Sequence, residues 1–193
     1  MTDTDVTELP PEAWLAALAA LPGLGPLRLA RLLDGQSPRM AWERVALNDA
    51  EALRRLEAPK VAAALPELAR ALDVDELWRK YRSLGIGVLG VEAAGYPPTL
   101  RDDHEAPAVL FTKGDPSAIA ELCVGIVGTR QCTRYGIDLA RDLGAMCAQQ
   151  GVSVVSGLAA GIDAAAHHGA LEAGGGAPVG CLLYTSPSPR DCN

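Results

Sequence analysis

Apolar residues near the start of the chain recur at the spacing of one face of an α-helix. The first such segment begins at Pro11, and proline is well tolerated in the first turn of a helix. Its apolar positions are Trp14, Leu15, Leu18 and Leu21. Further helical segments are predicted over about 27–33, 37–45, 49–56 and 59–72. We therefore expect a small all-α domain over 11–72, of the SAM-like or helix-hairpin-helix kind, and disorder over the acidic, polar residues 1–10.

The pattern changes after this helical domain. One further helix is predicted over about 74–84, and short apolar strands follow near 86–89 and 108–111. A proline-set turn lies between the two strands, at 95–100. We interpret residues 73–120 as an extension that connects the helical domain to the rest of the chain.

Strands and helices alternate from residue 121 onwards. The apolar runs 124–127 and 152–155 lack polar alternation, which is typical of parallel strands covered on both faces. A glycine-bearing loop and a helical segment follow each run. This order predicts a parallel sheet with right-handed crossovers. The predicted fold class is therefore α/β. The first half of a Rossmann-like domain, over 121–180, is preceded in the sequence by the small all-α domain.

The end of the chain departs from this pattern. Residues 178–180 begin the next apolar strand, but 181–193 are rich in proline, serine and other polar residues. A half-built parallel sheet should continue with further strands and helices. We interpret 181–193 as a non-native tail on a C-terminally truncated fragment, and a native flexible tail is the alternative.

Composition narrows the classes of function. The 193 residues carry a net charge of −7 and contain no long basic segment, which argues against coating of duplex DNA by bulk charge. A local anion pocket of amides and one or two arginines remains compatible with this charge. No apolar run is long enough to span a membrane, and the start does not resemble a secretory signal, so we expect a cytoplasmic protein. Five cysteines without a C-x-x-C spacing suggest neither a metal site nor a disulfide framework, and no cofactor is predicted.

Two loops at the predicted strand ends carry the candidate chemistry. Ligands of open parallel sheets bind beyond the carboxyl ends of the strands, so both loops could line one pocket. The candidate residues are Gly128, Thr129 and Arg130 in the first loop and Ser156, Gly157, Leu158, Ala159 and Gly161 in the second. An arginine fork suits phosphate, and amides at a helix start favour anions. A carboxylate filling the space between the strand ends would contradict this site.

Several alternatives stay open at this point. Arg130 could instead pair only with a surface carboxylate, and the spacing alone allows phosphate, nucleotide or nucleic acid as ligand. Asp163 is placed to cap the helix that follows the second loop. His167 and His168 are expected to be packed or solvent-facing side chains, because no further metal ligands are spaced to join them. The turn 21–26 resembles a helix-hairpin-helix, which either contacts DNA through its amides or is purely structural.

Several of these stretches together resemble the DprA/Smf family of bacterial DNA-processing proteins. Each stretch is weakly diagnostic by itself, but their order and gaps agree with the family. The resemblance is carried by 95–100, 106–114, 124–130, 133–136, 156–167 and 169–171. The first sixty or so residues resemble the family's N-terminal helical domain only loosely.

The resemblance implies a single-stranded-DNA binder that protects DNA entering by natural transformation, or competence, and loads the recombinase RecA. It implies a DNA pocket at the two loops, with Arg130 as a main phosphate contact and the other candidate residues beside it. It also implies a homodimer in the full-length protein and no catalytic activity. Ala160 stands where the family often has a basic residue, so one phosphate contact could be missing. Compared with the family pattern, we expect the second half of the Rossmann-like domain, and the winged-helix-like domain of many relatives, to lie outside this sequence.

Two other classes of function compete with this interpretation. One is an enzyme on a similar scaffold, such as a nucleotide-derivative hydrolase or phosphoribohydrolase. No nucleophile–base pair, metal cluster or paired carboxylates accompany the two loops in the sequence, which argues against it. The other is a structural module for protein contacts, which would bind neither nucleotides nor oligonucleotides.

Overall fold

The computed structural model describes residues 8–103, 105–119 and 122–182. These residues fall into two compact units, with the boundary between Pro116 and Ser117. The helices described in the first unit are α1 (Pro11–Ala20), α2 (Pro26–Leu33), α3 (Pro38–Ala46), α4 (Ala50–Arg54), α5 (Pro59–Ala71), α6 (Val74–Ser83) and α7 (Pro98–Arg101), and its strands are β1 (Ile86–Gly90) and β2 (Val109–Lys113). The second unit contains β3 (Cys123–Gly125), α8 (Arg134–Gln149), β4 (Ser153–Ser156), α9 (Ile162–Ala173) and β5 (Pro178–Gly180).

Most helices of the first unit begin where the sequence supplies a cap or a proline. The side chains of Ser37, Asp49 and Asp73 accept amide hydrogen bonds from the first turns of α3, α4 and α6, as N-cap residues do. Helices α1, α2 and α5 have proline in the first turn, where its missing N–H leaves no bond unmade.

The first unit has one apolar core, and residues 73–116 contribute to it. The helical part supplies buried leucines and alanines from α1, α2, α3 and α5. Val74, Val88, Ala108 and Val109 join the same cluster. The segment that the sequence sets apart as a connecting extension therefore packs into the core of the helical unit.

The turn between α1 and α2 is packed from within. Gly23 has a positive φ of 82°, and a Cβ there would lie 3.1 Å from the methyl groups of Val61. Leu21 and Leu24 are buried on either side of it, and the guanidinium of Arg28 donates to the Gly23 carbonyl at 3.0 Å. These contacts explain the hairpin as a structural element, and its contact with DNA stays a prediction.

Two of the stretches that resemble the DprA/Smf family contact each other in the first unit. The hydroxyl of buried Tyr96 donates to the carbonyl of Pro107 at 2.8 Å. The guanidinium of Arg101 donates to the carbonyls of Val91 and Ala93 at 2.9 and 2.7 Å. Strands β1 and β2 pair antiparallel beside this loop. The hydrogen bonds of Tyr96, within the first stretch, and of Arg101, just after it, therefore hold the loop between β1 and β2 in place beside the two strands.

The second unit contains a parallel sheet in the order β3-β4-β5. Helices α8 and α9 approach so closely that a side chain at Gly144 would collide with the carbonyl of Ala166. A side chain at Gly169 would likewise collide with the carbonyl of Arg141. The parallel strands and intervening helices confirm the predicted α/β, Rossmann-like fold class.

Two predictions concern parts of the chain that are only partly described. Residues 1–7 of the segment expected to be disordered lie outside the described residues, as do 183–193 of the expected tail. The prediction of disorder is wrong for residues 8–10, because Leu9 packs against the core of the first unit and Glu8 pairs with Arg39. The amide of Cys181 donates to the carbonyl of Ser156 at 2.8 Å, so the pairing of β5 with β4 extends one residue beyond 180. No helix in the described ranges combines the length and apolar character needed to cross a membrane.

Candidate nucleic-acid interface

The two candidate loops follow neighbouring parallel strands. Strand β3 pairs with β4 in the register Val124 to Val154, and the amide of Ile126 continues the ladder to the carbonyl of Val155 at 3.0 Å. The hydroxyl of Ser156 donates to the carbonyl of Ile126 at 2.6 Å, and its residue is 2% exposed. Ser156, a predicted DNA contact, therefore uses its hydroxyl to join the strand ends.

Gly161 brings the backbones of the two loops together. It has a positive φ of 92°, which favours glycine. A Cβ there would collide with the carbonyl of Thr129 and would lie 2.9 Å from the Cα of Arg130. The amide of Ile162 also donates to the Thr129 carbonyl at 3.3 Å. The structure thus places Thr129, Arg130 and Gly161 side by side.

A buried carboxylate lies between the two strand ends. Oδ1 of Asp163 accepts the amide hydrogen of Gly128 at 3.2 Å, and Oδ2 accepts that of Gly157 at 3.0 Å. Asp163 is 5% exposed. Burial by itself raises the pKa of this carboxyl, but hydrogen bonding outweighs burial and holds the pKa below its ordinary value, with the amides of Gly128 and Gly157 contributing most and Ser156 and Ala159 adding to them. The carboxylate is therefore an internal anion of the site.

Two predictions need correction because of this carboxylate. Asp163 does not cap α9, because the helix begins at Ile162 and its N-cap is Gly161, which has no side chain to accept a bond. The amides of Gly128 and Gly157 already have an acceptor inside the protein, so they are not exposed donors for phosphate. The carboxylate fills the space between the strand ends, so the predicted anion pocket between them is wrong. Contact of phosphate with the exposed Arg130, on the outer side of the loops, stays a prediction.

The outer side of the loops remains accessible. Gly128, Thr129 and Arg130 are exposed, and the Thr129 hydroxyl forms a small turn with the backbone of Gln131. Leu158 is 57% exposed and has a positive φ of 58°, an uncommon conformation for a leucine that is often found at functional sites. Its side chain lies against Gly180. The first loop thus exposes the cation Arg130, and the second loop exposes Leu158.

The histidines of α9 occupy different environments. His167 is 8% exposed, and within the described part of the chain its Nε2 has no hydrogen-bond partner. His168 is exposed. Among the described residues, no group of histidine, cysteine and acidic side chains is arranged to hold a metal ion.

Sequence reasoning missed the bridging role of Asp163. The available signal was an acidic residue at the second position of a helix that follows a glycine loop. That position also suits a favourable charge at the helix start, so the sequence did not indicate that the carboxylate reaches back to both strand ends.

Comparisons with known proteins agree with the motif pattern. Residues 87–182 match the family model described as DNA recombination-mediator protein A. The chain is 37% identical over 111 residues to the DNA processing protein DprA of Bacillus subtilis, a match that covers 57% of this chain and 35% of that protein. It is 38% identical over 80 residues to the protein Smf of Escherichia coli, covering 42% of this chain and 21% of that protein.

The fold resembles that of a solved relative. The X-ray structure of DNA processing protein A from Streptococcus pneumoniae superposes with a TM-score of 0.64 at 22% identity, covering 93% of this chain and 62% of that chain. The chain thus spans less than two thirds of the length of these relatives. Given the family match, the related sequences and the shared fold, the chain belongs to the DprA/Smf family of DNA-processing proteins.

Proposed function

We propose that this chain is part of a recombination mediator that binds single-stranded DNA and does not catalyse a reaction. The observation that carries the proposal is the contact between the β3 and β4 loops, which presents exposed Arg130 beside the start of α9. On the family resemblance we extend the proposal to protection of DNA taken up in natural transformation and to loading of RecA. The resemblance also supports a cytoplasmic homodimer for the full-length protein.

The charge of the chain limits how DNA can bind. A net charge of −7 gives the chain no overall attraction for a polyanion, so this proposal relies on a few well-placed contacts. An arginine donates from a planar fork that matches phosphate oxygens. Such contacts are independent of base sequence.

The state of the polar side chains supports binding over hydrolysis. Ser156 is buried and donates its hydroxyl to a main-chain carbonyl, so it is not poised as a nucleophile. Asp163 is ionised and engaged by two amides, which makes it a poor general base. These contacts disfavour the nucleotide-derivative hydrolase, which remains the alternative outcome of the test.

The proposal is tested by titrating the chain with fluorescent oligo-dT over a series of salt concentrations. We expect Arg130→Ala to weaken oligonucleotides of any sequence about equally. The slope of log affinity against log salt should fall by about 0.7 if one phosphate contact on a single strand is lost.

Arg141→Ala is the matched control, because Arg141 lies in the same unit and pairs with Glu172 on α9. It changes the net charge equally and should leave the salt slope close to that of the wild type. An unchanged slope in Arg130→Ala would remove Arg130 from the site. Turnover of NAD or AMP without oligonucleotide binding would favour the hydrolase.

A further inference from the structure

We propose that Asp163 is a positioning residue that holds the two DNA-binding loops from beneath. This inference rests on the proposed function of the same site. Asp163 would not contact DNA, and it would act through the loop backbones that carry Arg130 and Gly161. Its carboxylate takes the place between the strand ends that a bound anion would otherwise occupy.

The geometry of the two hydrogen bonds supports this role. The carboxylate uses one oxygen for each loop, bonding Gly128 at 3.2 Å and Gly157 at 3.0 Å. Gly128 is 35 positions away in the sequence and Gly157 is six away, so one side chain joins segments that no continuous element connects. A Cβ at Gly157 would lie 3.0 Å from Oδ2, so the carboxylate closely approaches that loop.

Burial makes these bonds difficult to exchange for phosphate. A buried carboxylate is costly unless its oxygens accept hydrogen bonds. If phosphate captured the amides of Gly128 and Gly157, the carboxylate of Asp163 would be left buried without those donors. The amides therefore stay with Asp163 when DNA binds, and the strand is held on the outer side of the loops.

The same carboxylate also carries a negative charge. The direction in which DNA affinity changes when Asp163 is removed therefore tests the proposal. If Asp163 only repelled phosphate, its removal would strengthen DNA binding. If it positions the loops, its removal weakens binding, because the loops must then be ordered by the ligand at an entropic cost. Loss of affinity and gain of affinity therefore distinguish the two roles.

The experiment compares the wild-type chain with Asp163→Ala in the oligo-dT titration. We expect a loss of affinity of about tenfold. This corresponds to an entropic cost of ordering the loops that is similar to the cost of immobilising one side chain on binding. The salt slope should stay unchanged, because no phosphate contact is removed. Formate should restore part of the affinity by filling the vacated space between the amides, relative to chloride at equal ionic strength.

Amide hydrogen exchange gives an independent readout. Exchange at Gly128 and Gly157 should become faster in Asp163→Ala, while the amides of β4 keep their protection. Asp138→Asn is the matched control, since Asp138 lies on α8 and pairs with Arg134 at the surface. It should change neither the affinity nor the exchange of the loop amides.

A second variant keeps the test decisive if Asp163→Ala does not fold. Asp163→Asn retains a single acceptor oxygen, so at least one of the two amides should lose protection. Wild-type affinity, tighter binding, or unchanged exchange at both amides would each overturn the positioning role. Absence of oligo-dT binding by the wild type would instead refute the proposed function. Hydrogen exchange would then still test whether Asp163 protects the amides of Gly128 and Gly157.

Discussion

Asp49 resembles Asp163 in using its carboxylate to hold a chain segment. It accepts the amide hydrogens of Glu51 and Ala52 at 2.9 Å each, and it pairs with both the Nε and Nη2 of Arg44. The Arg44 hydrogen bond, followed by the Ala52 amide, lowers the pKa of Asp49 to about 2. One residue thus caps α4 and ties it to the end of α3.

This lowered pKa predicts an acid-dependent stability of the first unit. A depressed folded-state pKa stabilises the protein above the ordinary value of 3.8, and the contribution is lost as the pH falls from there towards about 2. Asp49→Asn keeps a cap oxygen but removes the charge, so it should be less stable than the wild type at pH 7.

Denaturant unfolding at pH 7 and at successively lower pH measures the difference between wild type and Asp49→Asn. The difference should shrink below pH 4 and become small near pH 2, where Asp49 of the folded wild type is about half protonated. A difference that stays constant over this range would show that the charge of Asp49 does not contribute.

Helices α8 and α9 pack through glycines. Gly144 on α8 faces the carbonyl of Ala166, and Gly169 on α9 faces the carbonyl of Arg141. The absence of side chains allows the two helix backbones to approach. Asp163 lies at the start of α9. The same packing therefore fixes the position of the helix whose Asp163 side chain bonds both loops.

We expect Gly144→Ala to destabilise the second unit by about 1–3 kcal/mol, because the added methyl group meets backbone that cannot move cheaply. Gly136→Ala on the same helix is the control. Its new Cβ would meet no atom closer than 3.4 Å, and alanine favours helix over glycine by about 0.5–1 kcal/mol. Thermal or denaturant unfolding followed by circular dichroism measures both, and equal effects of the two variants would contradict the packing argument.

The two units differ in how much apolar core each contains. The first unit buries side chains from its helices and from both strands of its hairpin. The described core of the second unit centres on Ala148, Val154, Ala166 and Ala170. Apolar side chains on α8 are exposed, among them Leu139, Leu143 and Met146. Most of the hydrophobic stabilisation of the described residues therefore lies in the first unit.

This asymmetry predicts that residues 1–116 fold as an independent fragment. Its core is built from residues of that unit, so removal of the second unit should leave it intact. We expect cooperative thermal unfolding of the fragment, with a midpoint close to that of one transition of the full chain. A fragment that ends at residue 72 is the informative comparison, because it lacks Val74, Val88, Ala108 and Val109 and should lose cooperativity.

The sequence by itself determined the period and order of the elements. Helical spacing from Pro11, two apolar strands followed by glycine loops, and the motif order predicted the α/β fold class and the DprA/Smf family. These features are local, because the period of apolar residues reports which face of an element is buried. The neighbouring positions of the Gly128 and Gly157 loops also follow from local order, since consecutive parallel strands end at one edge of the sheet.

Only the tertiary structure decided which groups occupy the space between those loops. The bond between Asp163 and Gly128 joins residues 35 positions apart, and the Ser156 hydroxyl meets a carbonyl 30 positions away. Such partners depend on the distance between the loop backbones after the helices have packed. The periodicity of a single helix or strand does not reveal that distance. For the same reason, the membership of residues 73–116 in the first core became visible only when the hairpin was seen against α1.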